Sequence, residues 1–222
     1  MLANGLAIVI QRALGELAGA RAGEARRHRK ALLLGALRED VARVPFGTRV
    51  FEHLSFSHFG GGWLRGGYLP LLWPGPRFKV RRYFRRALAL ARAGKRAAAF
   101  VTLGRACHVL TDMACPVHVH RVIHDSDPFE WYVEMHADQL RAEPTAPLPD
   151  GRSPGALVAS LAAVTGTCAP DRTRNAFGRL LRRLGLRRPV PGHEIHRQAR
   201  LLIPQAAAHV AALIRLFLGQ AG

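Results

Sequence analysis

The sequence predicts an all-α fold, and three observations lead to that class. Apolar residues recur at helical spacing along most of the chain, and no segment shows a competing strand pattern. Gly94 and Pro116 fall where periodic segments end, as expected for residues that stop helices. With 222 residues, 49% of them hydrophobic, the chain is long enough for one full core. We therefore predict a single domain over residues 1–222, built as a multi-helix bundle.

The first part of the chain predicts two helices and a long loop. Apolar residues at helical spacing predict a helix over residues 3–20 and a second over residues 31–44. Glycine, proline and aromatic residues then fill residues 46–76, and this composition predicts an irregular loop. A loop of that length in a compact domain is usually functional.

The rest of the chain predicts further helices separated by short breaks. Asp127 followed by Pro128 is typical of a helix start, with an N-cap and a first helical residue. The last helix is strongly apolar, but polar residues interrupt it, so we predict a core helix rather than a membrane span. The predicted helices cover residues 77–93, 95–114 and 128–142. A linker over 143–155 follows, then two more helices and a final long helix over 192–219.

The chain is strongly basic and poor in cysteine. It has 33 Lys and Arg against 15 Asp and Glu, a formal charge of +18, which favours polyanions, anionic lipid surfaces or phosphate-bearing substrates. A biased, arginine-rich composition explains the same charge without any partner. Three cysteines without a CxxC pair predict neither a disulfide framework nor a thiolate zinc site. No export signal is recognisable at the start, so the expected location is cytoplasmic unless the N-terminus is truncated.

Carboxylates and imidazoles are concentrated in or just beyond residues 104–136, although the chain as a whole is short of acid. Together they supply many oxygen and nitrogen ligands for a metal ion. The group comprises Asp112, Asp125, Asp127, Glu130, Glu134 and Asp138 with His108, His118, His120, His124 and His136.

The clearest metal-binding signal is the pair His108 and Asp112. They are four residues apart on a predicted helix, so their side chains share one face and can chelate one ion. His118 is too far along a straight helix for the same ion, but Pro116 bends the path and a group of neighbouring metals would use both. Nitrogen and oxygen donors without thiolate suit a catalytic zinc or a similar divalent metal.

Structural roles explain several of these residues equally well. Glu130 lies three residues after Asp127, which is the spacing of a capping box. Taken singly, His120, His124 and His136 are more simply explained as ordinary core or surface groups. The combination of His108, Asp112, Pro116 and His118 is harder to explain in this way.

The segment HVLTDMACPVH, spaced H-x3-D-x3-P-x-H, resembles the signature of the bacterial zinc-dependent phospholipase C family, which is related in fold to the single-strand-specific zinc nucleases. FSHF around His58 resembles the S-H-F that the family places about fifty residues upstream. GALREDV, containing Asp40, resembles its earlier acidic segment, and DPFEWYV, containing Glu130, resembles its later aromatic–Glu step. The resemblance covers roughly residues 30–140.

The resemblance implies an all-α bundle of the phospholipase C and zinc nuclease type, with up to three zinc ions at the bottom of a helical cleft. Asp112 is then a bridge between two of the ions. Asp40 is also placed to orient or deprotonate the attacking water, which makes it the implied catalytic residue. The implied ligands of the first ion are His58, His108, Asp112 and Asp40.

The same resemblance assigns His118 and Glu130 to a further zinc. The family has a histidine four residues before this glutamate, but here the position is Ser126, and His124 is the nearest substitute. The family also uses its N-terminal residue and a first-helix histidine, whereas this chain has no histidine before His28. One or two zinc ions are therefore expected rather than three.

The function that the resemblance implies is that of a zinc-dependent phosphodiester hydrolase, a phospholipase C-like enzyme that cleaves phospholipid headgroups with a metal-activated water. A nuclease or nucleotidase on the same scaffold is the alternative, because lipids and nucleic acids both expose phosphodiesters. A non-catalytic basic helical protein with one residual metal site also stays open. The expected partner is a phospholipid or other phosphodiester substrate; an anionic membrane surface and nucleic acid are further candidates, and no protein partner is implied.

Overall fold

Helices dominate the computed structural model, which describes residues 1–19, 21–39, 41–43, 49–51, 75–122, 124 and 127–222. Within these residues there are eleven helices and one two-stranded sheet, so the predicted all-α class is confirmed. The helices are α1 (Ala3–Glu16), α2 (Ala22–Arg27), α3 (Arg29–Leu37), α4 (Pro76–Arg92), α5 (Arg96–Asp112), α6 (Pro116–Val119), α7 (Pro128–Met135), α8 (Ala137–Arg141), α9 (Pro154–Thr165), α10 (Ala176–Arg183) and α11 (Gly192–Gln220).

The core is built around α5 and α11. Residues 106–112 of α5 and 206–214 of α11 are buried without interruption. Phe100 of α5 and Phe217 of α11 meet edge to face, with ring centroids 5.4 Å apart. Six further helices pack against one or both of this pair, namely α1, α3, α4, α7, α8 and α9. The buried side chains form one cluster that extends from Met1 to Ala221. The last turn of α5 therefore lies inside the protein rather than at its surface.

Two glycines let α3 and α5 approach each other closely. A β-carbon added to Gly104 would lie 2.1 Å from the carbonyl oxygen of Leu32, and one added to Gly35 would lie 1.8 Å from that of Val101. Neither position can hold a side chain unless the helices separate. This contact fixes the position of α5, and with it the histidine and aspartate near its end.

A short sheet replaces part of the predicted second helix. The helix predicted over residues 31–44 ends at Leu37, and strand β1 (Val41–Arg43) pairs antiparallel with β2 (Arg49–Phe51). Pro45 disfavours helical geometry in the residue before it, and valine is enriched in strands, so the prediction of helix to residue 44 was wrong. β2 also interrupts the loop predicted over residues 46–76, of which 46–48 and 52–74 lie outside the described residues.

Three other predicted boundaries differ from the structure. The helix predicted over residues 3–20 ends at Glu16, and the chain then turns at Gly19, where φ is +91°. The helix predicted over 128–142 breaks at His136 into α7 and α8. Residues 143–153 are irregular, as expected of the linker, but Ser153 caps α9 by accepting a hydrogen bond from the Ala156 amide, so the helix begins at Pro154.

Helix α11 is long and apolar enough to cross a membrane by length and composition alone. However, 78% of its most apolar window is buried inside the fold. Pro204 lies within the helix and is itself buried. The burial agrees with the predicted core helix.

Candidate metal centre

The end of α5 and the two helices that follow it bring four candidate ligands together. His108 and Asp112 lie one turn apart on α5 and project from the same face. The chain then turns, and Pro116 begins α6 as its first residue, two positions before His118. Glu130 lies in the first turn of α7. All four side chains are buried, so the predicted bend at Pro116 does return the chain to the end of α5.

The first pair joins His108 to Asp112. The Nε2 atom of His108 lies 3.2 Å from Oδ2 of Asp112, and both side chains are 1% exposed. Burial alone would raise the pKa of Asp112, but His108, the Met1 amino group and His118 outweigh it and hold that pKa well below its ordinary value. Asp112 is therefore ionised at neutral pH and available as an anionic ligand.

The second group joins His118, Glu130 and His124. The Nε2 atom of His118 lies 3.5 Å from Oε1 of Glu130, and that of His124 lies 4.0 Å from Oε2. Burial opposes the charge on Glu130, yet the Met1 amino group and His118 lower its pKa below the ordinary value. Burial likewise opposes the charge on His118, but Asp112 and Glu130 raise its pKa. His124, the predicted substitute for the missing histidine, thus lies beside this group.

The α-amino group of Met1 lies between the two groups. It is 2.9 Å from Oδ1 of Asp112 and 2.9 Å from Oε1 of Glu130, and it is fully buried. The two carboxylates therefore stabilise a positive charge that lies between them. A cation-stabilising pocket of this kind is the electrostatic environment that a divalent metal requires.

Cys115 is a neighbour of the second group that sequence reasoning missed. One ligand atom from each of Cys115, His118 and Glu130 lies within 4.8 Å of the others, and all three residues are buried. The thiol donates a hydrogen bond to Oδ2 of Asp127 over 3.3 Å, and burial together with Asp127 and Glu130 raises the pKa of the thiol well above its ordinary value. A paired cysteine is the usual sequence signal for a thiolate ligand. Here the proximity comes instead from the turn before Pro116.

One half of the capping box predicted at the start of α7 is confirmed. Oδ2 of Asp127 accepts a hydrogen bond from the Glu130 amide over 3.3 Å, so Asp127 is the N-cap. The Glu130 side chain does not complete a capping box but contacts the Met1 amino group and His118. Burial, with the charge of Glu130, raises the pKa of Asp127 to about 6. The cap and the contacts with Met1 and His118 therefore involve different carboxylates, Asp127 and Glu130.

Two histidines of the same window have structural roles. Nε2 of His120 lies 2.9 Å from the carbonyl oxygen of Cys168, to which it hydrogen-bonds. His136 stacks on Tyr132, and its Nδ1 lies 2.9 Å from the Tyr132 carbonyl oxygen. Both agree with the structural explanation that the sequence favoured for them.

Asp40 and His58, the other implied site residues, lie outside the described residues. The neighbour of Asp40 in the chain, Glu39, is buried in a basic network. Its carboxylate accepts hydrogen bonds from Lys79 over 2.9 Å and from Arg105 over 2.6 Å. Burial opposes the charge, but these two cations lower the pKa of Glu39. The backbone directly before Asp40 is thereby anchored to α4 and α5.

The donor set fits zinc in both chemistry and spacing. Metal–ligand bonds of about 2.0 Å place tetrahedral ligands about 3.3 Å apart. The His108–Asp112 and His118–Glu130 atom pairs are separated by 3.2 and 3.5 Å. Nε2 of His124 lies 4.0 Å from Oε2 of Glu130 and would have to move slightly closer to share a metal with it. Two imidazole–carboxylate pairs at ligand spacing can therefore each contribute to a metal site.

Comparison with known proteins gives matches among solved structures, whereas no family profile and no curated protein matches the chain. The alpha-toxin of Clostridium absonum is 14% identical with a TM-score of 0.69; the match covers 98% of this chain and 64% of the toxin. An alpha-toxin of Clostridium perfringens from an avian strain is 15% identical with a TM-score of 0.70, covering 98% and 63%. The chain thus spans less than two thirds of either toxin, and identity this low shows the fold alone. The predicted resemblance is confirmed at that level: the chain has the all-α fold of the alpha-toxin phospholipases C.

Proposed function

We propose that this protein is a zinc-dependent phosphodiester hydrolase of the phospholipase C type, acting on phospholipid headgroups. The observation that carries the proposal is the pair of buried imidazole–carboxylate contacts, His108–Asp112 and His118–Glu130, at the separations of ligands that share a metal. The fold supports it, because structural neighbours with the same helical arrangement are hydrolytic enzymes. Buried ionisable groups of this density are typical of functional sites.

Two ions divide the ligands in this proposal. His118, His124 and Glu130 would hold one ion, and the Cys115 thiol lies close to the His118 and Glu130 ligand atoms. His108 and Asp112 would hold the other. The proposed additional ligands of that second ion are Asp40 and His58.

The chemistry follows from which groups are charged. When bound, zinc lowers the pKa of a water molecule and neutralises phosphoryl oxygens. Asp112 and Glu130 stay ionised at neutral pH because their pKa values are lowered, so they can hold cations without first losing a proton. Asp40 is the proposed catalytic residue, which orients or deprotonates the attacking water. Lys79 and Arg105 hold Glu39, the residue that precedes Asp40 in the sequence, against α4 and α5.

The test combines metal content with two substrates. We expect near-stoichiometric zinc in protein purified without added zinc or chelator, and less zinc in both His108→Ala and Glu130→Gln. The matched control is His136→Ala, which removes a histidine of the same window that stacks on Tyr132 and should leave zinc unchanged. Phosphatidylcholine hydrolysis should fall with the zinc. Absence of zinc from the wild type, even after zinc is supplied, would overturn the proposal.

A nuclease on the same scaffold is supported by one observation, the formal charge of +18, which also suits nucleic acid. Single-stranded DNA is therefore the second substrate in the assay. Zinc-dependent cleavage of DNA without cleavage of phosphatidylcholine would favour the nuclease. Bound zinc without cleavage of either substrate would favour the non-catalytic basic protein.

A further inference from the structure

Helix α10 and the turn after it expose large apolar side chains. Phe177 is 64% exposed, Leu180 52%, Leu184 61% and Leu186 73%. Single exposed leucines are normal on protein surfaces, but four large exposed apolar side chains within ten residues are an unusual concentration, which we call the apolar patch. Such a patch marks a surface that contacts something other than water.

The apolar and basic side chains of α10 lie on opposite faces. Phe177, Leu180 and Leu184 follow the i, i+3, i+7 spacing of one helical face. Arg179 and Arg182, with Arg183, fall on the other side of the helix. The helix is therefore amphipathic, with its apolar face turned outward rather than into the core.

The helix is stabilised by contacts within its own segment, residues 172–187. A β-carbon on Gly178 would lie 2.0 Å from the carbonyl oxygen of Arg172, so the helix passes directly over that backbone. The side chain of Asn175 caps it by accepting a hydrogen bond from the Gly178 amide over 2.7 Å. Arg187 donates to the same Arg172 carbonyl over 3.3 Å. The apolar face is thus presented by a formed and capped helix.

The positive charge around the apolar patch favours an anionic partner. Residues 172–190 contain seven arginines and no aspartate or glutamate. Arginines near a bilayer surface are attracted to anionic headgroups, while apolar side chains enter the boundary between headgroups and acyl chains. Nucleic acid would satisfy the arginines but offers no apolar interior for exposed leucines. The arginines are Arg172, Arg174, Arg179, Arg182, Arg183, Arg187 and Arg188.

We propose that residues 176–188 dock the protein on the surface of an anionic phospholipid bilayer. Phe177 and the exposed leucines enter the interface, and the arginines contact lipid phosphates. This docking surface goes beyond the proposed hydrolase and does not depend on the metal centre, because none of the candidate ligands belongs to α10. It would hold the protein at a membrane whether or not the protein cleaves lipid.

The test is co-sedimentation of the full chain with vesicles of phosphatidylcholine, with and without phosphatidylserine. We expect binding to the phosphatidylserine vesicles, weakened by salt, and a loss of about tenfold or more in the double variant Phe177→Ser/Leu184→Ser. Leu201→Ser is the matched control, since Leu201 is a 40% exposed leucine on α11, and it should bind like the wild type. Both replaced side chains are mostly exposed, so thermal unfolding should not change.

Three results would overturn the docking proposal. The first is that the wild type does not bind vesicles. The second is that the double variant binds vesicles as well as the wild type does. The third is that single-stranded DNA displaces the protein from vesicles and binds the wild type and the double variant equally well. The Glu130→Gln variant separates the two proposals. It should bind vesicles as the wild type does while containing less zinc, so failure of the metal centre and failure of docking give different results.

Discussion

Replacing Gly104 by alanine should test whether the contact between α3 and α5 positions the metal centre. The new β-carbon would meet the Leu32 carbonyl oxygen at 2.1 Å and the Ala36 amide nitrogen at 3.0 Å. Both are backbone atoms, so no rotamer change can relieve the overlap and the helices must separate by about 1 Å. Because both clashes are with backbone, we expect a cost at or just above the top of the usual range for overpacking, about 3 to 4 kcal/mol, of which the higher helix propensity of alanine offsets about 1 kcal/mol.

The net expectation for Gly104→Ala is a loss of about 2 to 3 kcal/mol in the free energy of unfolding, or about 1 M in the urea midpoint. Because His108 follows one turn later on α5, zinc content should fall as well. Gly219→Ala is the matched control, since a β-carbon there meets nothing within 4 Å and the position lies in α11. That variant should be as stable as the wild type or slightly more stable. Equal midpoints and equal zinc in Gly104→Ala and the wild type would refute the reasoning.

Three further outcomes are expected. Chelation should lower the melting temperature, and added zinc should restore it, because a ligand that binds only the folded state stabilises it. In chelated protein, Glu130→Gln should destabilise by about 3 kcal/mol at neutral pH. The pKa of Glu130 is lower in the folded state than in the unfolded state. The stability that Glu130 contributes is therefore fully present above the unfolded pKa of about 4.3 and is lost as pH falls through the folded pKa. A difference in stability between Glu130→Gln and the wild type that persists unchanged at pH 2 would contradict this. Ser153→Ala should cost about 1 kcal/mol in urea unfolding through loss of the α9 cap, while Ser153→Asp, which keeps a side-chain oxygen at the N-cap, should be nearly as stable as the wild type.

Local rules were sufficient for the helices and for part of the site. The i, i+4 spacing of His108 and Asp112 required only an unbroken helix, and α5 provides one up to Asp112. The N-cap at Asp127 likewise followed from its own sequence and the proline after it. These features depend on contacts within about four residues, which periodicity and capping describe directly.

The features that sequence reasoning missed depend on tertiary contacts, which local sequence patterns do not reveal. Cys115 has no cysteine partner, and it meets His118 and Glu130 only because the chain turns between α5 and α6. The strand at Val41 forms by pairing with Phe51, ten residues later, and the apolar pattern of this region was mistaken for more helix. The break at His136 likewise interrupts a run with continuous helical periodicity. Such features follow from packing, and propensity alone does not determine them.

The burial of the candidate ligands is itself an argument for chemistry rather than stability. Taking a carboxylate and an imidazole out of water costs several kcal/mol each, and their mutual attraction seldom exceeds that cost. Apolar side chains of similar volume around α5 would stabilise the core as well or better. Asp112 and Glu130 are nevertheless buried together, where a cation between them is stabilised. A cluster that lowers the stability of the core is expected where a fold retains charged groups for binding or catalysis, and the metal measurements test that role directly.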